Sequence, residues 1–399
     1  MNMQLTPNPN QMLRARQVAL YDLELIAPCL NSDVTTATFE ADQQLWEKRL
    51  PTLYPKITTH IGDVIERLEH LNRDRENPEE APPLEPVPIV GTVKLHGTHA
   101  DIVIYSNNDI IFQSRNVSGL SVLKDNHGFA TTMSTKTEAL LQLRDLYTAR
   151  WLQLNPDATL DPGHPVLIAG EWIGEKVQTG VAISHLSKRF VIVSVNINGT
   201  WQIDRDYAGI SLPNHDIYNI ACAGVYTATL YPEDPQRTLS HIESLAEDVA
   251  TRCPFAATFG IKGEGEGIVW KLVPPQYNTK PALWFKTKGG RFKPTYARPP
   301  TKRINFDEVE EACRAAAGAA ATWCSQQRLE QGWEVLREKH IEQDLQGLSV
   351  FLKWVQQDIL TEEEGYIRKH RLDKADLKTE VAKIAKPWYL AHMRNALNA

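Results

Sequence analysis

The chain has 399 residues, 42% of them hydrophobic, and a formal net charge of -6. A single hydrophobic core seldom serves a chain of this length, so we expect two or three domains. No apolar run reaches the ~18 residues of a membrane span, and five cysteines without a CxxC pair exclude a disulfide framework and a zinc ribbon. The expected setting is the cytoplasm or another reducing intracellular compartment, without membrane contact.

Residues 1–72 are predicted to be mostly helical, with the last helix of this part at 61–71, and they carry no chemical motif. The next stretch, 74–88, is acidic and rich in proline, which is typical of an exposed linker. We therefore assign 1–88 to an N-terminal region that ends in this linker.

The sequence GTVKLHGTHADIVI, at 91–104, places Lys94 where one predicted strand ends and just before the next begins. An amine held in such a corner beside other cations can lose its proton at neutral pH and act as a nucleophile. The pattern Lys-x-x-Gly also occurs by chance in many chains, so this motif alone does not establish catalysis.

Further along the chain, helices are predicted at 135–152 and 236–252 and a buried strand at 190–195. Several other strands end at charged residues. These are Arg115 after a hairpin with its turn at 107–108, Glu171 after a buried strand at 166–169, Glu266 in the segment 263–271, and Lys286 with Lys288 in the segment 283–288. Lys286 and Lys288 are two residues apart, so both side chains leave the same face of their strand.

From Asn305 onwards the sequence is predicted to be helical, and Asn305 with Glu308 forms a capping box at its start. The predicted domains are thus 1–88, 89–304 and 305–399, and the fold class is α+β. Between Lys271 and Phe306 there are nine lysines and arginines and no acidic residue. This basic run, up to Arg303, is expected to bind an RNA backbone, and its aromatic residues could stack on bases or belong to the core.

In chain order, the charged residues form the series Lys-x-His-Gly, Arg, Glu, Glu-Gly-x-Val and Lys-x-Lys. This series resembles the motifs of the covalent nucleotidyltransferase superfamily of ATP-dependent ligases and RNA capping enzymes. The segment KLHGTH, at 94–99, is similar to the Lys-x-His-Gly-Thr-Asn of the nick-sealing, RNA ligase 2-like family of RNA ligases. The resemblance covers roughly 90–290 and implies a nucleotidyltransferase (adenylation) domain of antiparallel sheets, followed by an all-helical domain.

The resemblance also implies roles for the site residues. Lys94 would attack the α-phosphate of ATP, while Lys286 and Lys288 would neutralise the charge that builds on the reacting phosphates. Glu266 would hold the lysine and a divalent ion, which is expected to be magnesium, with manganese as the alternative. The other nucleotide contacts would be Arg115 to sugar and phosphate, Glu171 to the ribose, Phe190 to the adenine ring, and His96 with Gly97 beside the phosphate.

Ordinary roles stay open for several of these residues. Lys-x-Lys is common at solvated strand edges, and a phenylalanine that opens an apolar strand, as Phe190 does, is by default a core residue. His96 and His99 form an HxxH pair, but no third or fourth ligand lies nearby in the sequence, so a zinc site is not expected. His99 also departs from the family motif, which has asparagine at this position.

The function expected from the resemblance is an ATP-dependent RNA ligase that joins 5′-phosphate and 3′-hydroxyl ends, on nicked duplex or single-stranded RNA. The alternatives are a capping-type guanylyltransferase, a DNA ligase, and a non-catalytic RNA-binding protein on a ligase fold. The first two are disfavoured because no OB-type module is recognisable after residue 305. The oligomeric state is left open by the sequence.

Overall fold

The computed structural model describes residues 52–73, 84–293 and 308–397, all within one compact unit, Pro51–Ala399. The helices predicted within 1–50 and most of the predicted linker lie outside the described residues. The helix predicted at 61–71 is confirmed as α1, Ile61–Arg73. The linker was predicted to extend to residue 88, but the first strand already begins at Val87. The predicted domain boundaries stay predictions.

The described strands form two sheets. In chain order they are β1 (Val87–Lys94), β2 (Thr98–Ile104), β3 (Ile110–Ser114), β4 (Val166–Ile173), β5 (Arg189–Ile197), β6 (Thr200–Trp201), β7 (Ile217–Asn219), β8 (Val225–Leu230), β9 (Gly267–Leu272) and β10 (Phe285–Lys288). Sheet A has the order β10-β9-β1-β8, and sheet B has the order β3-β2-β4-β5-β6, with β7 beside β5. All pairs are antiparallel except β5 with β7.

Helices cover the outer faces of the sheets and make up the C-terminal part. After α1 they are α2 (Phe129–Ser134), α3 (Thr137–Leu154), α4 (Pro235–Thr251), α5 (Pro254–Ala257), α6 (Pro275–Asn278), α7 (Glu308–Trp323), α8 (Gln326–Glu338), α9 (Leu348–Glu362), α10 (Glu364–Lys369) and α11 (Lys374–Leu397). Antiparallel sheets followed by helices confirm the predicted α+β class. Among the described helices, none combines the length and apolar character needed to cross a membrane.

Each layer has its own hydrophobic core. One core lies between sheet A and the helices α1 and α4, and a second lies between sheet B and the helices α2 and α3. A smaller cluster, which includes Tyr54, Ala169 and Trp284, fills space between the two sheets. The helices α7 to α11 bury a separate core of their own. The C-terminal part therefore packs as an independent layer.

Local sequence explains the main elements. The turn at 107–108 joins β2 to β3 as predicted, with Asn108 in the left-handed region at φ 72°, a conformation that asparagine tolerates. The Asp234 side chain accepts a hydrogen bond from the Arg237 amide and so caps α4, with a proline following it. The strand predicted at 166–169 continues to Ile173, so Glu171 lies within β4 and not beyond its end.

We expect Gly170→Ala to lower the free energy of unfolding by about 1–3 kcal/mol, the usual cost of overpacking a core. A Cβ atom at this position would lie 2.4 Å from Phe190 Cζ and 2.6 Å from the Val191 carbonyl oxygen. Gly209→Ala is the matched control, because nothing lies within 4 Å of a Cβ atom there. Urea denaturation of both variants measures the difference, and equal stabilities would contradict this account of the sheet B core.

Candidate active site

Lys94 is the last residue of β1, and the three residues that follow carry the chain from sheet A into sheet B. The backbone of Gly97 lies so close to β4 that a Cβ atom would be 2.4 Å from the Trp172 carbonyl oxygen. This approach lets the Gly97 amide donate a hydrogen bond to Glu171 Oε1 at 3.0 Å. A side chain at residue 97 would therefore separate the turn from sheet B.

Glu266 is the buried anion beside Lys94. Its carboxylate lies 2.6 Å from Lys94 Nζ and 3.0 Å from Lys288 Nζ, and it is 2% exposed. His96 Nδ1 is a more distant neighbour, at 3.5 Å. Burial alone would raise the pKa of Glu266, but the charges of Lys94 and Lys288 hold this pKa well below its usual range. The structure thus brings four of the predicted site residues into contact.

Strand pairing explains this convergence. Gly267 in β9 pairs with Lys94 of β1 on one side and with Lys288 of β10 on the other. Glu266 immediately precedes Gly267, so its side chain lies between the two lysines. Residues from positions 94, 266 and 288 are adjacent in space because the three strands are neighbours in sheet A.

Lys286 lies on the same strand as Lys288 but has a different partner. Its Nζ is 2.5 Å from Glu362 Oε1 at the end of α9. Burial lowers the pKa of Lys286 to about 8, although the Glu362 carboxylate acts in the opposite direction. Lys286 is buried, so Lys-x-Lys is not a solvated strand edge in this protein.

Glu171 faces the same region from sheet B. Burial raises the pKa of this carboxyl above its usual value, and the charge of Lys94 opposes the rise only in part. In the sheet register Glu171 pairs with His99 on β2 and with Val191 on β5. Its hydrogen bond from the Gly97 amide places Glu171 beside the turn that follows Lys94, and its nucleotide contact stays a prediction.

Phe190 does not join this group. It is fully buried in the core between sheet B and the helices α2 and α3, where its ring centroid is 5.7 Å from that of Phe129. Side chains alternate along a strand, so Phe190 and Glu171 occupy opposite faces of sheet B. The predicted stacking on adenine is wrong, and the core role holds. The residue of β5 beside Glu171 is Val191.

Arg115 lies at the rim and is held by the segment that precedes α1. Its guanidinium donates to the Tyr54 carbonyl oxygen at 2.7 Å and lies over the Tyr54 ring at 5.7 Å. The neighbouring Asn116 donates to Glu338 of α8 at 2.9 Å. In this structure Arg115 contacts backbone and an aromatic ring, and its nucleotide contact stays a prediction.

His99, where the resembling family has asparagine, belongs to a buried polar network. Its Nε2 is 3.2 Å from Thr52 Oγ1 and 2.9 Å from an Asp101 oxygen, and its ring stacks on Tyr54 with centroids 5.0 Å apart. Thr52 also donates a hydrogen bond to Asp101. No sequence pattern predicts this network, because Thr52 and Tyr54 lie outside any motif.

In its described part, which ends at Lys293, most cations of the predicted basic run are paired with carboxylates, whereas Lys280 is exposed. Lys271 is buried and lies 2.6 Å from Asp204, while the exposed Arg291 and Lys293 lie 3.3 Å and 3.0 Å from Glu264 and Glu243. Three of its aromatic residues are also buried, namely Trp284, Phe285 and Phe292. Base stacking by these three rings is therefore corrected to core packing, and residues 294–306 lie outside the described ranges.

Metal ligation was predicted for Glu266. Across the described ranges, no group of three or more His, Cys, Asp or Glu side chains is placed to hold a metal ion. The carboxylate in contact with Lys94 is Glu266, which is already shared with Lys288. This carboxylate fits a hard cation held largely by phosphate oxygens and water, and it does not fit zinc.

The sequence missed one group of residues at this site. Lys56, Arg328 and Glu362 form ion pairs beside Lys286, and they come from the segment before α1 and from the helices α8 and α9. For example, Arg328 and Glu362 are 34 residues apart in sequence, and Lys56 and Asp358 are 302 residues apart. No local pattern marks them, so only the fold reveals them.

The RNA ligase family model matches residues 87–288, which is just over half of the chain. No curated protein matches this chain. Similar solved structures include mutants of a Naegleria gruberi RNA ligase with AMP and Mn, at 14% identity and a TM-score of 0.35, and with ATP and Mn, at 14% and 0.34. An apo mutant of an RNA ligase from the same organism has 14% identity and a TM-score of 0.37. Each similarity covers 60% of this chain and 57% of the other, so the chain spans less than two thirds of their length.

The low pKa of Glu266 predicts an acid-dependent stability. The ionised carboxylate stabilises the fold above its unfolded pKa of 4.5, and this contribution is lost as the pH falls towards the lower folded pKa. Glu266→Gln should therefore lose less stability than the wild type as the pH falls below 4.5. Urea denaturation across this range measures the two slopes.

Glu264→Gln is the control for this comparison. Its carboxylate is 56% exposed and makes a 3.3 Å pair with Arg291, so its curve should run parallel to that of the wild type. A stability difference between Glu266→Gln and the wild type that does not change with pH would show that the Glu266 charge does not cause the acid loss.

Proposed function

Because this chain belongs to the RNA ligase family, we propose that it joins RNA ends at the expense of ATP through a covalent lysyl-AMP intermediate on Lys94. The observation that supports this proposal is the contact of Lys94 and Lys288 with one buried carboxylate, Glu266, with Lys286 on the same strand. An amine, a carboxylate and two further cations in one place are what transfer of a nucleotide to lysine requires.

The first step is attack of the Lys94 amine on the α-phosphorus of ATP. The nitrogen–phosphorus bond forms while the bond from phosphorus to the pyrophosphate oxygen breaks, and the amine loses a proton. Glu266 Oε2, 2.6 Å from Nζ, holds the amine in place, and the proton that the nitrogen loses passes to water. Lys286 and Lys288 stabilise the negative charge on the phosphoryl oxygens.

Magnesium or manganese would be held by the phosphate oxygens of ATP, with Glu266 as the protein ligand. When bound, the ion supplies positive charge that favours departure of pyrophosphate. Glu171 is proposed to accept hydrogen bonds from the ribose hydroxyls. Burial removes water from this carboxylate, which is why its pKa is raised. Ribose hydroxyls that donate hydrogen bonds to it would replace that water and stabilise the charged form.

In the second step the 5′-phosphate of an RNA end attacks the lysyl-AMP, so that a phosphoanhydride forms and the nitrogen–phosphorus bond breaks. In the third step a 3′-hydroxyl attacks the 5′-phosphorus and AMP leaves, which closes the phosphodiester. The two steps need an RNA end beside Lys94. His96, whose ring packs on Phe292 at 4.8 Å between centroids, is proposed to contact the reacting phosphate.

Incubation with α-³²P-ATP and magnesium tests the first step. The wild type should carry label after denaturing electrophoresis, and Lys94→Ala should carry none, since no other residue is proposed as the nucleophile. Lys262→Ala is the control, because Lys262 is exposed and lies before β9, and its labelling should equal that of the wild type. Label that persists in Lys94→Ala would refute the assignment.

The labelled protein then separates the possible reactions. Label from GTP and not from ATP would favour a capping-type guanylyltransferase. With nicked duplex RNA, single-stranded RNA and nicked DNA supplied in parallel, RNA ligation predicts that the label moves from the protein to the adenylylated RNA end and is then released as AMP while the RNA is sealed. No sealing of DNA is expected. Adenylylation without sealing of any RNA end would contradict the second half of the proposal.

A further inference from the structure

The lysines of the site form ion pairs with carboxylates from two different parts of the fold. Glu266 immediately precedes β9 of sheet A, and Lys94 and Lys288 end β1 and β10 of the same sheet. The carboxylate on Lys286 comes from elsewhere, because Glu362 is the last residue of α9 in the C-terminal helices. The side chains of Lys286 and Glu362 are only 9% and 13% exposed, and their charged atoms are 2.5 Å apart.

Glu362 is held as an anion by several cations. Its second oxygen accepts from Arg328 of α8, and Arg328 in turn pairs with Asp358 at 2.9 Å. Lys56 binds the same Asp358 at 2.6 Å. Burial would raise the pKa of Glu362, but the charges of Lys286 and Arg328 outweigh burial and hold this pKa well below its usual range. The carboxylate is therefore ionised at neutral pH.

The position of this anion conflicts with the first reaction step. Under the proposed function, Lys286 must meet the phosphoryl oxygens of ATP. A carboxylate that already contacts its ammonium would have to lie beside the phosphate, and two anions in a poorly hydrated site repel each other strongly. The negative end of the α9 dipole adds to this repulsion, because Glu362 ends the helix.

We infer that Glu362 is an internal competitor of the ATP phosphates for Lys286, so that α9 must withdraw from β10 before the nucleotide can bind. This inference rests on the proposed function and adds a regulatory contact to it. Binding of ATP then includes the free energy of releasing the C-terminal helices. The apparent affinity for ATP is lowered by the fraction of molecules in which Glu362 covers Lys286.

The way the helices are attached is compatible with their release. Their hydrophobic core contains no residue of either sheet. Polar contacts join them to the site, and besides Glu362 these include Lys56 to Asp358 at 2.6 Å, His60 to Glu363 at 2.8 Å and Asn116 to Glu338 at 2.9 Å. Such contacts can be exchanged for water without dismantling either core.

The test is the affinity of the full-length protein for the α,β-methylene analogue of ATP, which binds but cannot transfer AMP, measured by calorimetry with magnesium. Glu362→Gln keeps the shape of the side chain and removes its charge, so it should bind the analogue about tenfold more tightly than the wild type. Glu364→Gln is the matched control, since Glu364 is exposed two residues away and its affinity should be unchanged.

Glu362→Asp provides a second variant in case the glutamine variant does not fold. It keeps a charge for Arg328 but shortens the reach to Lys286, so a smaller gain in affinity is expected. Small-angle scattering without nucleotide should also show a larger radius of gyration for Glu362→Gln than for Glu364→Gln.

The outcomes distinguish the two proposals. If the wild type binds the analogue and neither Glu362 variant binds it more tightly, the competition is refuted while the ligase proposal stands. If no variant binds the analogue and Lys94 accepts no label from ATP, the proposed function fails, and the competition fails with it.

Discussion

The rest of the site depends on one buried carboxylate shared by two lysines. Glu266 is 2% exposed and contacts Lys94 and Lys288 from the position just before β9, the strand between theirs. Removal of one partner from a buried ion pair usually costs about 3–5 kcal/mol, because the remaining charge is left unpaired. The two ion pairs of Glu266 therefore join the ends of β1, β9 and β10, in addition to the backbone hydrogen bonds between these strands. This fixes the proposed nucleophile relative to the cations that would receive the phosphate.

Much of this arrangement follows from short stretches of sequence. The alternation of apolar residues places the strands. Lys94, Glu266, Lys286 and Lys288 could be singled out because each belongs to a motif of three or four residues at a strand end. The fold class was also predictable, since helical periodicity replaces strand patterns after residue 305. To predict that residues at these strand ends lie close together, one needs only the assumption that their strands are neighbours.

Other features lie beyond sequence patterns for physical reasons. Alternation shows that Phe190 and Val191 face opposite sides of β5, but both sides of sheet B are buried, so the sequence cannot tell which side faces Glu171. Glu362 lies in an acidic stretch that resembles an ordinary solvated helix end, and its role arises from contact with a residue 76 positions away. A charge pair at such a distance leaves no periodic signal. The network of His99 with Thr52 is hidden in the same way.

The segment that precedes α1 limits how far the protein can be truncated from its N-terminal side. The backbone amide of Lys286 donates to the Thr58 carbonyl oxygen at 2.9 Å, so this segment covers the outer edge of β10. A fragment limited to the family region, 87–288, would leave that edge unpaired and prone to join other chains. It would also remove the Tyr54 contact of Arg115 and the Thr52 contact of His99. The smallest autonomous version of the sheet pair must therefore start at or before Thr52.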